Sequence, residues 1–368
     1  MKAFLLLIIN TGSTSTKVAV YENEKELIKK SLVHTLHELG KYELVSQQRK
    51  MRKQAILDFL KENFYTLNQF DIIVSRGGST LPVEGGAYEV NDEMVERLKN
   101  KPFVQHAGIL GPVIARELAD EAGIKAYVYD SAAVDELQDL SRISGMKEIE
   151  RVSLVHTLNT RYVSKIVCEA KGKIYEKSSI IAAHMGGGIT MSLHHKGRII
   201  DVVGDDEGTF SPDRSGSIPT RQLVDLCFNG KYKTASDVHR IMRGGGGLVS
   251  YLGTMDVLEV DKKIDRGDKD AELILNAMVY QICKNLASLS PAVEGKIDFI
   301  LLTGPLCFSN RIVQGIKKRI TFIAPIEVMP GEYEMEALCR GGLSVLLKKE
   351  IPKEYKEAKK GKTEEELL

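Results

Sequence analysis

Residues 4–21 read FLLLIINTGSTSTKVAVY. Residues 4–9 are an unbroken apolar run, long enough for a buried strand and too short for a helix. Asn10-Thr11-Gly12-Ser13-Thr14-Ser15-Thr16 is a turn of small, mostly hydroxyl-bearing residues, and 17–21 returns with strand character. The pattern predicts a hairpin whose tip is crowded with backbone N–H groups and hydroxyls. Such a tip can cradle a phosphate in the manner of an anion-binding nest. Taken alone it is equally an ordinary surface hairpin.

Repetition separates the two readings. Residues 179–183 form a second short apolar strand, followed by His184-Met185-Gly186-Gly187-Gly188-Ile189-Thr190, a returning strand at 191–195, a Lys196-Gly197 turn and a third strand at 198–204. This is the grammar of residues 4–34 over again. A further tip, Thr303-Gly304-Pro305, follows the apolar residues 299–302. Two lobes built on one hairpin and facing each other would set their tips across a single cleft. The expected lobes are 1–149 with the C-terminal segment 332–368, and 150–331.

The remaining pattern alternates strands and helices. A helix is expected at 47–63, a strand at 71–75 running into Arg76-Gly77-Gly78, helices at 91–98 and 109–122, and a strand at 126–129 delivering Asp130. That alternation indicates an α/β domain with a mixed sheet. Residues 150–170 read as mostly helical, and further helices are expected at 220–229, 268–289, 311–320 and 332–349. The run Arg243-Gly244-Gly245-Gly246-Gly247 has no evident role, and the charge-rich stretch 354–368 reads as a frayed helix or disordered.

At 368 residues the chain is long enough for two domains. A net charge of +1 does not suggest nucleic acid or a membrane surface as a partner. Five scattered cysteines without a CxxC indicate neither a disulfide framework nor a zinc ribbon, and a cytoplasmic setting fits. The opening apolar run is too short to span a bilayer. Gly361-Lys362-Thr363 resembles the end of a P-loop, but Lys356 stands where its first glycine belongs. His34 and His37, and the pair His194-His195, lack further ligands at metal spacing. No GxGxxG follows a strand, and no GxSxG elbow occurs.

What remains is a polar residue at nearly every expected strand end, where open α/β sheets place their ligands. These are Asn10, Arg76, Asp130 and His184, joined by Arg214 within DDEGTFSPDRSGSIPT at 205–220.

Together with INTGSTSTKVAVY (9–21), SRGG (75–78), VYDSAAVDEL (128–137), AHMGGGIT (183–190), FSPDRSGSIPT (210–220), GLVSYLGTMDV (247–257), GDKDAEL (267–273) and LLTGPL (301–306), these residues resemble the acetate and butyrate kinase family. The matches run in family order through nearly the whole chain. Where acetate kinases usually carry HGG and GNG, this sequence has Arg76-Gly77-Gly78 and Gly186-Gly187-Gly188. It is therefore nearer the butyrate kinases, and the role of Arg76 is a looser transfer than the others. The implied fold is α/β, two duplicated lobes of ribonuclease H-like (actin/Hsp70/sugar kinase) type with a central ATP cleft.

The resemblance implies reversible phosphoryl transfer from ATP to a short-chain carboxylate, giving an acyl phosphate and ADP with Mg2+ as cofactor. A carboxylate with a pKa of roughly 4 to 5 is already ionised at neutral pH and needs no general base. It needs relief from repulsion by the γ-phosphate, whose charge spreads over the equatorial oxygens in flight. Arg76 and Arg214 are expected to clamp the carboxylate and the phosphoryl group, and His184 to hydrogen-bond the equatorial oxygens. Asn10 and Glu332 would help hold Mg2+, with Glu334 and Glu336 close competitors for that place. Asp130 would order the metal shell or orient Arg214. Thr11, Gly12, Ser13, Thr14 and Gly186–Gly188 would cradle phosphates, and Thr303, Gly304 and Pro305 would face adenosine. A homodimer or higher homo-oligomer is implied as well. Two other classes share the superfold: a sugar or polyol kinase using Asp130 as a true base, and an actin- or Hsp70-like nucleotide switch.

Overall fold

A computed structural model describes residues 2–78, 80–102 and 106–356. The chain forms two compact units, one holding the residues up to Asp135 together with those from Tyr333, the other Glu136–Glu332.

In the first unit, β1 (Leu5–Thr11), β2 (Ser15–Glu22) and β3 (Lys25–Val33) form an antiparallel meander. Strands β4 (Ile72–Ser75) and β6 (Ala126–Tyr129) add in parallel to β1, with β5 (Ala87–Glu89) antiparallel at the far side. A C-terminal strand, Lys353–Glu354, closes the order, giving seven strands. The second unit has β7 (Ser179–Met185), β8 (Ile189–His195) and β9 (Arg198–Val203) as its meander, then β10 (Phe299–Gly304) and β11 (Ile326–Pro330) in parallel. The order β3-β2-β1-β4-β6 is thus repeated as β9-β8-β7-β10-β11, strand directions included. Even the irregularity recurs: the β2–β3 register shifts at Val20/Tyr21 and the β8–β9 register at Leu193/His194. Both central strands are buried almost end to end, as parallel strands covered on two faces must be.

Helices α1 (Arg49–Glu62), α2 (Asp92–Asn100) and α3 (Leu110–Ala122) belong to the first unit. The Asn91 side chain caps α2, accepting from Met94 N. Gly123, at φ +68°, ends α3. The helix Glu334–Leu346 returns to the first unit and packs on β1, β4 and β6. Gly341 and Gly342 make that docking possible, since a Cβ would stand 2.4 Å from the Tyr129 ring and 2.4 Å from a Val74 methyl. A mid-helix glycine costs about 1 kcal/mol relative to alanine, and here close helix–sheet contact offsets it.

Several expectations need correction. The helix expected from residue 150, α4 (Thr157–Ala170), begins seven residues later, because residues 150–156 are not helical. Helices Ala235–Met242, Gly247–Leu252 and Val257–Asp265, and strands β5, β11 and Lys353–Glu354, were not foreseen. They are short, and tertiary contact decides such pieces more than periodicity does. The C-terminal helix starts at Glu334, so Glu332 lies before it. Far from fraying at 354, the chain pairs Lys353 and Glu354 with Tyr88 and Glu89 and buries Tyr355. The rest of the 354–368 stretch, from 357, lies outside the described residues, as do Gly361, Lys362 and Thr363.

Candidate active site

In the first unit, Asn10, Arg76 and Asp130 stand at the C-terminal ends of β1, β4 and β6, adjacent strands in the sheet. Asn10 Nδ2 donates to Glu334 Oε2 at 2.6 Å, and Arg76 Nη1 lies 3.1 Å from Glu334 Oε1. The carboxylate brought to Asn10 is therefore that of Glu334, at the first turn of the C-terminal helix, where the helix dipole favours an anion. Glu332 belongs to the other unit. Asp130 has φ +39°, an uncommon conformation for a non-glycine residue, and its Oδ1 accepts from Gly86 N at 2.8 Å.

The hairpin tip of residues 11–16 is held from behind by Arg52 of α1, a fully buried side chain. Arg52 Nη1 donates to Gly12 O at 2.9 Å and Ser15 O at 3.0 Å, and Nη2 donates to Ser13 O at 3.0 Å. Gly12 N donates to Ser15 O at 2.8 Å. One guanidinium thus gathers three tip carbonyls on one side, and it places a positive charge beneath a loop expected to hold phosphate. Burial lowers its pKa to about 10, which leaves it protonated at neutral pH. His106 adds a second support. Its Nδ1 accepts from Gly108 N at 3.1 Å, which leaves Nε2–H to donate to Ser13 Oγ at 3.2 Å. Burial and the charges of Arg76 and Arg52 push the His106 pKa down. Neither residue emerged from the sequence: Arg52 sits on what reads as a helix's polar face, and His106 on no motif.

The two glycines of SRGG serve packing. A Cβ on Gly77 would stand 2.3 Å from Ser131 Cβ, and one on Gly78 2.7 Å from Ile109 Cα.

In the second unit, His184 is the penultimate residue of β7, beside Thr303 of β10, its register partner. A Cβ on Gly186 would lie 3.6 Å from His184 Nε2 and 3.7 Å from Pro305 Cδ. One on Gly188 would lie 3.5 Å from Arg214 Cζ. The glycine turn therefore runs between His184 and Pro305 on one side and Arg214 on the other, so these expected residues do assemble. Gly304 has φ +96° and passes so close to Met185 that a Cβ would stand 2.5 Å from its carbonyl oxygen. The His184 ring stacks on His156, just ahead of α4, with centroids 4.0 Å apart and planes at 17°. His156 escaped the sequence reading because it follows no strand. Its position at a helix N-terminus, where anions are favoured, was the available signal.

Arg214 is paired with Asp205, which also accepts from Arg243 Nη2 at 2.6 Å. The glycine run explains itself here. Gly244 N donates to Asp213 O at 2.7 Å, Leu248 N to Ser211 O at 3.1 Å, and Ser215 N to Met242 O at 2.9 Å. A Cβ on Gly247, at φ +60°, would fall 1.7 Å from Ser211 O. Only glycine lets this backbone clasp the loop that carries Arg214.

His34, His194 and His195 have hydrogen-bonding neighbours within the fold. His34 Nε2 lies 2.9 Å from Thr16 Oγ1, His194 Nδ1 2.8 Å from Tyr175 Oη, and His195 Nδ1 2.8 Å from Ser179 Oγ. Among the described residues no cluster of three or more His, Cys, Asp or Glu is placed to hold a metal, and no helix is long and apolar enough to cross a membrane.

A duplicated three-stranded meander extended by two parallel strands, with glycine turns and polar residues at the strand ends, defines the actin/Hsp70/sugar kinase class of fold. Acetate kinase from Porphyromonas gingivalis shares the fold with a TM-score of 0.78 at 19% identity, over 94% of this chain and 100% of that one. Butyrate kinase 2 of Clostridium acetobutylicum is 43% identical over 355 residues, 96% of this chain and 99% of that protein. A probable butyrate kinase of Clostridium botulinum is 44% identical over 96% of this chain and 100% of its own length. A sequence model of the acetokinase family matches residues 147–323. The chain belongs to the acetokinase family and is an ATP-using kinase.

Proposed function

We propose that the chain catalyses reversible transfer of the γ-phosphoryl group of ATP to butyrate, giving butyryl phosphate and ADP. The observation that carries the choice of butyrate is the near-full-length likeness to two butyrate kinases at 43% and 44% identity. A carboxylate oxygen of the acid attacks the γ-phosphorus, the bond from phosphorus to the β–γ bridging oxygen breaks, and ADP departs with that electron pair. No proton is removed from the acid, so Asp130 is assigned no role as a base.

The tip of residues 11–16, stiffened by Arg52 and His106, binds phosphate oxygens through its N–H groups and hydroxyls. Arg214, released from or shared with Asp205, neutralises carboxylate and phosphoryl charge, and Arg76 does so alongside Glu334. His184 and its stacked neighbour His156 offer N–H donors to the equatorial oxygens. The oxygen donors of Asn10 and Glu334 suit Mg2+, which keeps most of its waters and takes one or two carboxylates together with substrate phosphates. Bound Mg2+ would supply charge neutralisation at the phosphates. Thr303, Gly304 and Pro305 are assigned to adenosine. A homodimer is the proposed assembly, and sedimentation would test it.

Hydroxylamine trapping of the acyl phosphate formed with ATP and Mg2+ tests the activity across acetate, propionate, butyrate and isobutyrate, with glycerol alongside. Product peaking at butyrate supports the reading. A peak at acetate, propionate or isobutyrate reassigns the acid. Turnover with glycerol and no trapped product refutes carboxylate phosphorylation.

A further inference from the structure

Asn159 of α4 is wholly buried, with its Nδ2 3.0 Å from His184 Nδ1 and 3.2 Å from Thr303 Oγ1. The direction of each bond follows from counting protons. A threonine hydroxyl has one hydrogen, and that of Thr303 goes to Gly331 O at 3.3 Å. Towards Asn159, Thr303 Oγ1 accepts. The atom of Asn159 facing it is the amide NH2, whose second hydrogen is directed at His184 Nδ1. A donor at that position calls for a lone pair on Nδ1 and the ring proton on Nε2. Nε2 is the nitrogen facing Gly186 of the glycine turn. The stack on His156 fixes the plane of the same ring.

We propose that Asn159 is a positioning residue that holds His184 as the neutral Nε2–H tautomer, aiming a hydrogen-bond donor at the transferring phosphoryl group. A neutral donor stabilises negative charge on the equatorial oxygens without entering the proton balance of the reaction. Asn159 also ties the ends of β7 and β10 together, so the donor and Thr303 keep a fixed spacing. The proposal rests on the donor role given to His184 above.

Nitrogen-15 NMR of the full chain labelled at histidine tests it, the His184 signals being assigned by their loss in His184→Ala. The expected wild-type spectrum shows a pyridine-like Nδ1 and a pyrrole-like Nε2. Asn159→Asp, which presents only acceptors, moves the proton to Nδ1 or protonates both nitrogens. It lowers kcat by about tenfold to a hundredfold, the usual cost of losing a partner that orients a site residue, and changes the KM for ATP far less. Asn159→Gln, if it folds, recovers part of kcat. A wild-type Nδ1–H pattern, or the wild-type pattern unchanged in Asn159→Asp, overturns the proposal, and the wild-type spectrum decides even if the variants do not fold. The expected spectrum with full kcat in His184→Ala overturns the donor role while leaving the tautomer assignment standing, which separates the two claims.

Discussion

Asn10 Nδ2 donates to Glu334 Oε2 at 2.6 Å, joining side chains 324 positions apart in the sequence. Glu334 also receives Arg76, so one carboxylate organises two strand ends. Glu334→Gln keeps the shape and removes the charge. It is expected to lower kcat by about 10²–10³, the scale of losing a single preorganised electrostatic group, and to raise the Mg2+ needed for half-maximal rate. Glu332→Gln is expected to stay within a few-fold of wild type. Magnesium titrations of both variants check this, and the reverse ranking would return the metal role to Glu332.

Arg52 makes its bonds to the hairpin tip from a fully buried position. Arg52→Met removes the guanidinium donor from the Gly12 and Ser13 carbonyls, at about 1–3 kcal/mol for each that water cannot reach, while Ser15 O keeps its bond from Gly12 N. The expected result is a large fall in Tm and a raised KM for ATP. Arg52→Lys keeps the charge but cannot span three carbonyls, and should fall between. Equal ATP affinity in all three proteins would remove Arg52 from phosphate binding.

Asp205 holds Arg214 and Arg243 together. Asp205→Asn removes the charge that pairs both guanidinium groups. Arg214 then loses its fixed orientation, and kcat should drop by about tenfold or more, since misplacement near 1 Å costs up to about 10²-fold. Arg214→Ala should be the more severe, and Arg243→Ala the milder. Steady-state kinetics of the three variants test that order.

His194 is fully buried between Tyr175 and Ser192, and burial lowers its pKa from 6.5 to about 3. Between those values the unfolded chain binds a proton that the folded chain does not. Its contribution to stability is therefore complete above about pH 6.5 and is lost as pH falls towards 3. Denaturant midpoints measured from pH 7 to pH 4 should fall, and His194→Gln, compared over the same range, should flatten the decline.

Gly247→Ala places a methyl 1.7 Å from Ser211 O at a position with φ +60°. The clasp on the Arg214 loop must then open, and activity should collapse with the loss of order there. Gly253→Ala, also at positive φ but with nothing within 4 Å, serves as the control for backbone strain alone. Similar activity in the two variants would show that the clasp does not matter.

The sequence by itself determined the duplicated meander. Apolar runs at residues 5–9 and 179–183, each followed by a turn of small residues and a returning strand, have a local signature because side chains alternate along a strand and turns need particular residues. It also put Asn10, Arg76, Asp130 and His184 at strand ends, since strand ends can be read from the same pattern. Tertiary structure alone decided which carboxylate meets Asn10, because Glu332, Glu334 and Glu336 are equivalent until the C-terminal helix packs on β1, β4 and β6. It likewise decided that Arg52 turns inward under the hairpin, that His156 stacks on His184, and that Gly244–Gly247 clasp the Arg214 loop. A buried arginine, a stacked ring and a glycine required by another segment's backbone are all defined by distant neighbours. Such neighbours leave no periodicity in the chain around them.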